Sequence, residues 1–377
     1  MTTGRGRGAA RLAAVAAAGA LALGCESPVP FYRPGAGAPD GPVAALGAPA
    51  PYVAPGPRPL PSLDARTAVY AGTGPGMLAP AARRSPPRLY VAGGGAVAVV
   101  DARTGRVVRR VRAPGADRVT QSWDLRRLWT TGARTGPLGR AARPGAGGVL
   151  YFTPDGREAM TLDGRRLVFR APGTLRARGT LRLPCAPGHA DFSADGAFML
   201  ASCGSGRVLR IDPARRRVTG TLPLPGGAAP GDLRLAPDGA AFFVADAARG
   251  GVWTIDGAAL RSTGFTPTGA GARALALSRD ARRLFVLGTA TLAAVDTAAA
   301  QTVTRWPLPP GGPLASGGVS ADGSLLWLMS AARGTLYALS TGDGRLLHRF
   351  RVGGRPRSVT VLPQPGRHTL GGPGLYR

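Results

Sequence analysis

The stretch DFSADGAFMLASCGSGRVLRIDPARRRVTGTLPL, residues 191–224, decides the fold of this chain because it recurs in altered form. Related copies are DLRLAPDGAAFFVADAARGGVWTIDGAALRSTGFTP at 232–267 and GGVSADGSLLWLMSAARGTLYALSTGDGRLLHRFRV at 317–352. Each copy contains a turn written P-D-G, A-D-G or R-D-A. The central aspartates of these turns lie 40 to 43 residues apart, at Asp155, Asp195, Asp238, Asp280 and Asp322. A near-constant period of this length indicates a repeat architecture.

Each unit contains four short apolar runs separated by turns of Gly, Asp and Pro, such as DLRLA, AAFFVAD, GVWTID and LRSTGF within 231–265. Such runs predict β-strands joined by hairpins. Four strands in about 42 residues predict a propeller blade. The sequence therefore predicts an all-β fold, a seven-bladed β-propeller with four-stranded antiparallel blades. Blade 1 is expected within 89–111, blade 2 at 118–147, and blades 3 to 7 from near 149, 189, 231, 273 and 316.

The last apolar run, RSVTVLP at 357–363, has the form of an innermost strand without partners after it. We expect it to complete blade 1, because this pairing closes the ring and removes an exposed sheet edge. The run TAVYAG at 67–72 is the alternative source of the same strand.

Units such as RLYVAGGGAVAVVDARTGRVVRRV at 88–111 and LRIDPARRRVTGTLPL at 209–224 resemble the YVTN-type β-propeller repeat proteins. The motif of that family pairs a YV-x-N strand with a strand that ends in Asp and a T-G-x-V turn. In this chain Gly, Asp or Thr replaces the Asn. The resemblance covers roughly 66–377 and implies the propeller fold. It implies no single activity, because the family includes surface-layer modules, periplasmic proteins and ligand binders.

The first 25 residues, MTTGRGRGAARLAAVAAAGALALGC, have a basic start and then an apolar run too short to span a bilayer. The ending L-A-L-G-C resembles the lipobox of bacterial lipoproteins, which implies lipidation of Cys25. An ordinary secretory signal is the alternative. We therefore predict a lipoprotein signal peptide at 1–24, a flexible Pro/Gly/Ala-rich linker at 25–64 and the propeller at 65–377. The predicted location is extracellular, lipid-anchored at the outer face of the cytoplasmic membrane.

The composition is strongly basic, with 48 Lys+Arg, every one of them Arg, against 20 Asp+Glu and a formal net charge of +28. Such a field attracts anionic polymers, phosphates and acidic headgroups, although a solvated basic surface is the simpler interpretation. Nucleic acid is disfavoured as a partner, because no basic run is interleaved with aromatic residues.

Cys185 and Cys203 are the remaining cysteines after Cys25. In an oxidising compartment we expect a disulfide between them, because hairpin register places Cys203 opposite position 187. Two buried thiols are the alternative. No His/Cys/Asp cluster has metal-ligand spacing, and we predict no catalytic residue, metal ion or cofactor.

The starts of the innermost strands form one mouth of the central channel in a propeller. Counting back from each turn places there Arg118, Val149, His189, Asp232, Arg273, Ser316 and Arg357. We predict a ligand site formed by Arg118, His189, Asp232, Arg273 and Arg357, because guanidinium groups suit carboxylate or phosphate. The predicted function is a monomeric binding or scaffold module for a cell-envelope component or an anionic small ligand. The alternatives are an enzyme of the lactonase or redox-cofactor type, and a purely structural module.

Overall fold

The computed structural model describes residues 69–70, 83–144 and 147–377, and its strands form a seven-bladed β-propeller. The predicted signal peptide, the predicted linker and Cys25 lie outside the described residues.

The first three blades contain the strands β1 (Arg88–Gly93), β2 (Ala96–Asp101), β3 (Val107–Arg112), β4 (Ala116–Gln121), β5 (Leu128–Gly132), β6 (Arg134–Pro137), β7 (Arg143–Pro144), β8 (Val149–Phe152), β9 (Ala159–Asp163), β10 (Arg166–Arg170) and β11 (Ala177–Arg182). Blade 1 is β1 to β3 with a fourth strand from the end of the chain, blade 2 is β4 to β7, and blade 3 is β8 to β11. The outer strands of blade 2 are short, with four residues in β6 and two in β7.

Blades 4 to 7 follow in chain order with four strands each. Their strands are β12 (Pro187–Phe192), β13 (Met199–Cys203), β14 (Arg207–Asp212), β15 (Arg217–Pro223), β16 (Pro230–Leu235), β17 (Ala241–Asp246), β18 (Gly251–Asp256), β19 (Arg261–Pro267), β20 (Ala274–Leu277), β21 (Arg283–Leu287), β22 (Thr291–Asp296), β23 (Gln301–Pro307), β24 (Leu314–Val319), β25 (Leu325–Ser330), β26 (Thr335–Ser340) and β27 (Leu346–Arg351). The last strands are β28 (Ser358–Leu362), β29 (Thr369–Gly371) and β30 (Leu375–Tyr376).

The aspartates that define the repeat also form its turns. Asp195 Oδ1 accepts hydrogen bonds from Ser193 Oγ (2.7 Å) and from the Ala197 backbone N–H (3.0 Å). Gly196 follows with a φ of 72°, a left-handed conformation that favours glycine. Turns centred on the aspartates of other blades have the same bonds. The repeated Asp is therefore a backbone requirement of the hairpin.

The core lies between the blades. In each blade from 4 to 7 the second and third strands are largely buried, whereas the outermost strand is largely exposed and in blades 4 and 6 alternates, as in Arg217–Pro223 with every second residue exposed. This alternation follows from the two-residue period of a strand, which directs one face toward the next blade and the other toward solvent.

Ring closure by the C-terminal run is confirmed. β28 pairs antiparallel with β1, with Val361 opposite Leu89 and Val359 opposite Val91. The alternative strand at 67–72 is wrong, because the two described residues of that run pack elsewhere: Tyr70 donates its hydroxyl to the Leu235 carbonyl oxygen (2.8 Å) in blade 5.

The structure joins Cys185 and Cys203 by a disulfide, with their Cα atoms 6.2 Å apart. Pro187 pairs with Cys203 in the blade 4 hairpin, which is the register expected from the sequence. The bond ties the segment that enters blade 4 to the end of its second strand.

A hairpin at the end of the chain enters the central channel, and the sequence analysis did not predict it. β29 pairs with β30 and also with the inner edge of β8, where Gly371 lies opposite Tyr151. An added Cβ at Gly371 would lie 2.3 Å from the Leu150 carbonyl oxygen, so the close approach requires glycine.

Candidate functional site

The channel has two mouths, which we name by the inner strands that line it. Neighbouring inner strands run parallel, since Ser358 Oγ bonds the Asp117 carbonyl oxygen (2.8 Å) and Thr360 Oγ1 bonds that of Val119 (2.6 Å). The amino mouth is therefore where the inner strands begin, and the carboxyl mouth is where they end. The predicted site residues belong to the amino mouth.

The carboxyl mouth is closed around a buried ion pair. Arg377 Nη2 lies 2.9 Å from Asp191 Oδ1, and the side chains are 1% and 0% exposed. The same carboxylate accepts the backbone N–H groups of Phe192 (2.7 Å) and Leu235 (2.8 Å). A buried charge pair is tolerated when its remaining lone pairs are also satisfied, and this carboxylate meets that condition.

Aromatic rings surround this ion pair. The Arg377 guanidinium lies over the Tyr70 ring at 4.6 Å, and the Arg279 guanidinium lies over the Tyr376 ring at 4.6 Å. Trp123 stacks on His368 with ring centroids 4.9 Å apart. Burial, together with neighbouring arginines, lowers the pKa of His368 to about 4, so this imidazole is neutral at pH 7.

A second buried ion pair lies below the amino mouth. Arg234 Nη1 is 2.5 Å from Asp232 Oδ1, with exposures of 4% and 2%, and Arg234 Nη2 donates to the Pro373 carbonyl oxygen (2.6 Å) in the C-terminal hairpin. Asp232 also accepts the backbone N–H groups of Leu233 (2.9 Å) and Leu275 (3.0 Å). The contacts of Asp232 are therefore with the protein, and they link blades 5 and 6 to the hairpin.

His189 is adjacent to this pair. Its Nδ1 lies 3.4 Å from Asp232 Oδ1, and its side chain is 28% exposed. Burial lowers the pKa of His189, Asp232 opposes this shift, and the positive charges of Arg234 and Arg118 add to it. The neutral imidazole therefore has both a hydrogen-bond donor and an acceptor at the mouth of the channel.

The three predicted arginines differ in their contacts. Arg118 is half-buried and makes no hydrogen bond or ion pair through its guanidinium with the described residues. Arg273 Nη2 donates to the Leu314 carbonyl oxygen (3.0 Å), and burial lowers the pKa of this arginine. Arg357 Nε lies 3.2 Å from Asp117 Oδ1 in an exposed pair. Arg118 and His189 are thus within electrostatic reach of each other, whereas Arg273 and Arg357 are directed toward neighbouring blades.

Sequence reasoning missed Asp191, Arg234 and the hairpin. A signal was present for Arg234, because Asp232 and Arg234 are two residues apart and so lie on one face of an otherwise apolar strand. Among the described residues no group of three or more His, Cys, Asp or Glu is arranged to hold a metal ion. No helix within the described ranges is long and apolar enough to cross a membrane.

Comparison with solved structures supports the fold. A functionally unknown protein from Desulfotomaculum acetoxidans DSM 771 is similar over 74% of this chain and 99% of its own, with 15% identity and a TM-score of 0.61. The β-propeller domain of Cps50 (Swd1) from Myceliophteria thermophila is similar over 66% and 90%, with 12% identity and a TM-score of 0.56. No protein-family model and no curated protein matches the chain. These identities are low, so the similarity concerns the β-propeller fold alone.

Proposed function

We propose that this chain is a propeller that binds an anionic small ligand or an anionic cell-envelope component at the amino mouth. The observation that carries the proposal is the half-buried Arg118 guanidinium, which has no carboxylate partner among the described residues and lies near neutral His189. A guanidinium without a partner offers paired donors to a carboxylate or phosphate. Arg273 adds positive charge around the same mouth, and Asp232 Oδ1 lies 3.4 Å from His189 Nδ1.

The difference in solvent exposure between the two ends of the channel supports this assignment. The side chains of Arg377 and Asp191 are at most 1% exposed at the closed end. At the other end Arg357 and Asp117 are 68% and 43% exposed. A ligand from solution therefore meets the arginine-lined end first.

The test is ligand-induced thermal stabilisation of residues 65–377 by anionic metabolites and cell-wall fragments at low and high salt. We expect a salt-resistant stabilisation that Arg118→Gln removes and Arg217→Gln retains, since Arg217 is an exposed arginine of an outer strand. A specific site would be contradicted if only polyanions stabilised the protein, if this stabilisation vanished at high salt, and if Arg118→Gln and Arg217→Gln behaved alike.

We further propose that the protein is a YVTN-type lipoprotein, exported and anchored through Cys25 at the outer face of the cytoplasmic membrane. The lipobox-like ending L-A-L-G-C supports this. Metabolic labelling with an alkyne fatty acid should mark the wild-type protein and not Cys25→Ser, which should also lose its membrane association. Equal labelling of both would contradict the anchor.

An enzyme is the second candidate, and the contact between His189 and Asp232 is the observation that favours it. A carboxylate that orients a histidine is one element of a general base. Here the same carboxylate oxygen also accepts Arg234 Nη1, which weakens its action on the imidazole. We therefore expect no hydrolysis of a lactone panel. Turnover that is lost in His189→Gln would replace the binding proposal with the catalytic one.

A further inference from the structure

A cavity of about 800 Å³ lies between blades 2 and 3, away from the channel mouth. Its volume is within the range of small-molecule sites. The lining residues come from blade 2, from β10, from the turn 171–176 that follows β10 and from the start of β11. We call this space the junction cavity.

The irregular repeat explains why the cavity forms here. At other junctions a side chain of the outermost strand fills the space against the corresponding turn of the next blade. An added Cβ at Gly105 would lie 2.2 Å from Phe350, and one at Gly344 would lie 2.1 Å from Trp306. In blade 2 the outermost strand is only Arg143–Pro144, so the turn of blade 3 faces open space.

The lining is positively charged. It includes Arg127, Arg140, Arg170 and Arg176, and no carboxylate is among the lining residues. None of these four arginines makes an ion pair with the part of the chain that the structure describes. These four arginines around one space therefore have no carboxylate in ion-pair contact among the described residues.

Arg170 is the most buried of the four, with 9% exposure. Its Nε donates to Thr161 Oγ1 (2.9 Å) and its Nη1 to the Leu175 carbonyl oxygen (3.0 Å). These bonds fix the guanidinium plane, while Nη2 makes no hydrogen bond with the described residues. Burial lowers the pKa of Arg170, and the negative charge of Asp163 partly opposes this shift. Asp163 forms its ion pair with Arg166, at 2.7 Å.

The other arginines of the lining surround this fixed group with positive charge. Arg140 and Arg176 are exposed, so their guanidinium groups can adjust to a ligand. The cavity thus combines one buried guanidinium held by hydrogen bonds with exposed cationic donors, as expected of a site for a group rich in acceptors.

We propose that the junction cavity binds a small molecule through a phosphate group. A phosphate dianion presents several acceptor oxygens and two negative charges, which match more donors and more of the positive charge here than a single carboxylate does. The apolar parts of Pro137, Leu175 and Ala177 would contact the remainder of the molecule. This site is separate from the amino mouth and does not depend on the function proposed there.

The experiment is calorimetric titration of residues 65–377 with inorganic pyrophosphate, and separately with citrate, at about 0.05 M and about 0.5 M salt. The variant Arg140→Gln/Arg176→Gln changes two exposed side chains, so it should fold normally. We expect about tenfold or greater weakening of pyrophosphate binding at the cavity in this variant and in Arg170→Gln. Arg261→Gln, an exposed arginine of an outer strand, should bind as the wild type does.

Equal weakening in Arg261→Gln, no pyrophosphate binding at either salt concentration, or binding of citrate without pyrophosphate would overturn the proposal.

Discussion

The substitution Asp191→Asn tests the closure of the carboxyl mouth. Asp191 accepts Arg377 Nη2 at 2.9 Å and two backbone N–H groups at 2.7 and 2.8 Å, with no exposed side-chain surface. Asparagine keeps the shape but removes the negative charge beside Arg377 and turns an NH₂ group toward a donor. Removing one member of a buried pair costs about 3–5 kcal/mol. We therefore expect a loss of that size in the free energy of unfolding.

The assay is urea unfolding followed by circular dichroism for the wild type, Asp191→Asn, Arg377→Met and the double variant. The double variant should cost less than the sum of the single variants by about 1–3 kcal/mol, because the two side chains contact each other directly and their effects are therefore coupled. The matched control is Asp163→Asn, which breaks an exposed pair with Arg166 and should cost less than about 1 kcal/mol.

Additive costs in this cycle would refute the reasoning, since they would show that the two charges do not interact in the folded protein. A loss in Asp191→Asn no larger than that of the exposed control would refute it as well. Either result would mean that the C-terminal hairpin is held in the channel by other contacts.

Three further predictions concern stability. Gly371→Ala should destabilise the fold by about 1–3 kcal/mol more than Gly164→Ala, because both have positive φ but only the Cβ at 371 would meet a backbone oxygen at 2.3 Å; urea unfolding measures the difference, and equal losses would contradict it. Replacing Cys185 and Cys203 by Ala should cost about 3 kcal/mol through the loop of 18 residues that they close, and an unchanged urea midpoint would contradict this. The pKa of His368, lowered to about 4 by burial, predicts full stability above about pH 6.5 and a fall of up to about 3 kcal/mol toward pH 4, because the unfolded imidazole binds the proton first; His368→Gln should flatten this pH profile, and an identical profile would contradict the assignment.

Much of the fold was predictable because its signals are local. The turn at Asp195 recurs because its carboxylate bonds the backbone of its own hairpin, so sequence period and blade period coincide. The step of 42 from Asp322 ends at Gln364, directly after the strand that closes the ring. The repeat spacing alone therefore predicts the position of β28.

The C-terminal hairpin was not predictable in the same way. Its strands have only three and two residues, Thr369–Gly371 and Leu375–Tyr376, which is too short for a period to be read. It forms because the inner edge of β8 offers unpaired backbone groups and because Asp191 accepts Arg377. Both causes depend on residues distant in sequence.

The level of the predicted residues along the channel was predictable, but their contacts were not. Counting from the turns placed His189 and Asp232 at one level of the channel, and the structure places them 3.4 Å apart. The count could not show that Arg234 would engage Asp232 from the same strand. Side-chain pairing inside the channel depends on which blades are adjacent, and this information is three-dimensional.

The most direct test of the binding account is nuclear magnetic resonance of the three histidines, because the chain contains only His189, His348 and His368. His189 lies at the amino mouth, His348 on the outermost strand β27 and His368 in the closed carboxyl mouth, so each histidine reports on a different place. Titration with the anion that stabilises the protein should shift the His189 signals alone, and Arg118→Gln should abolish the shift. Stabilisation without any shift of His189, or equal shifts of all three histidines, would contradict a ligand site at the amino mouth.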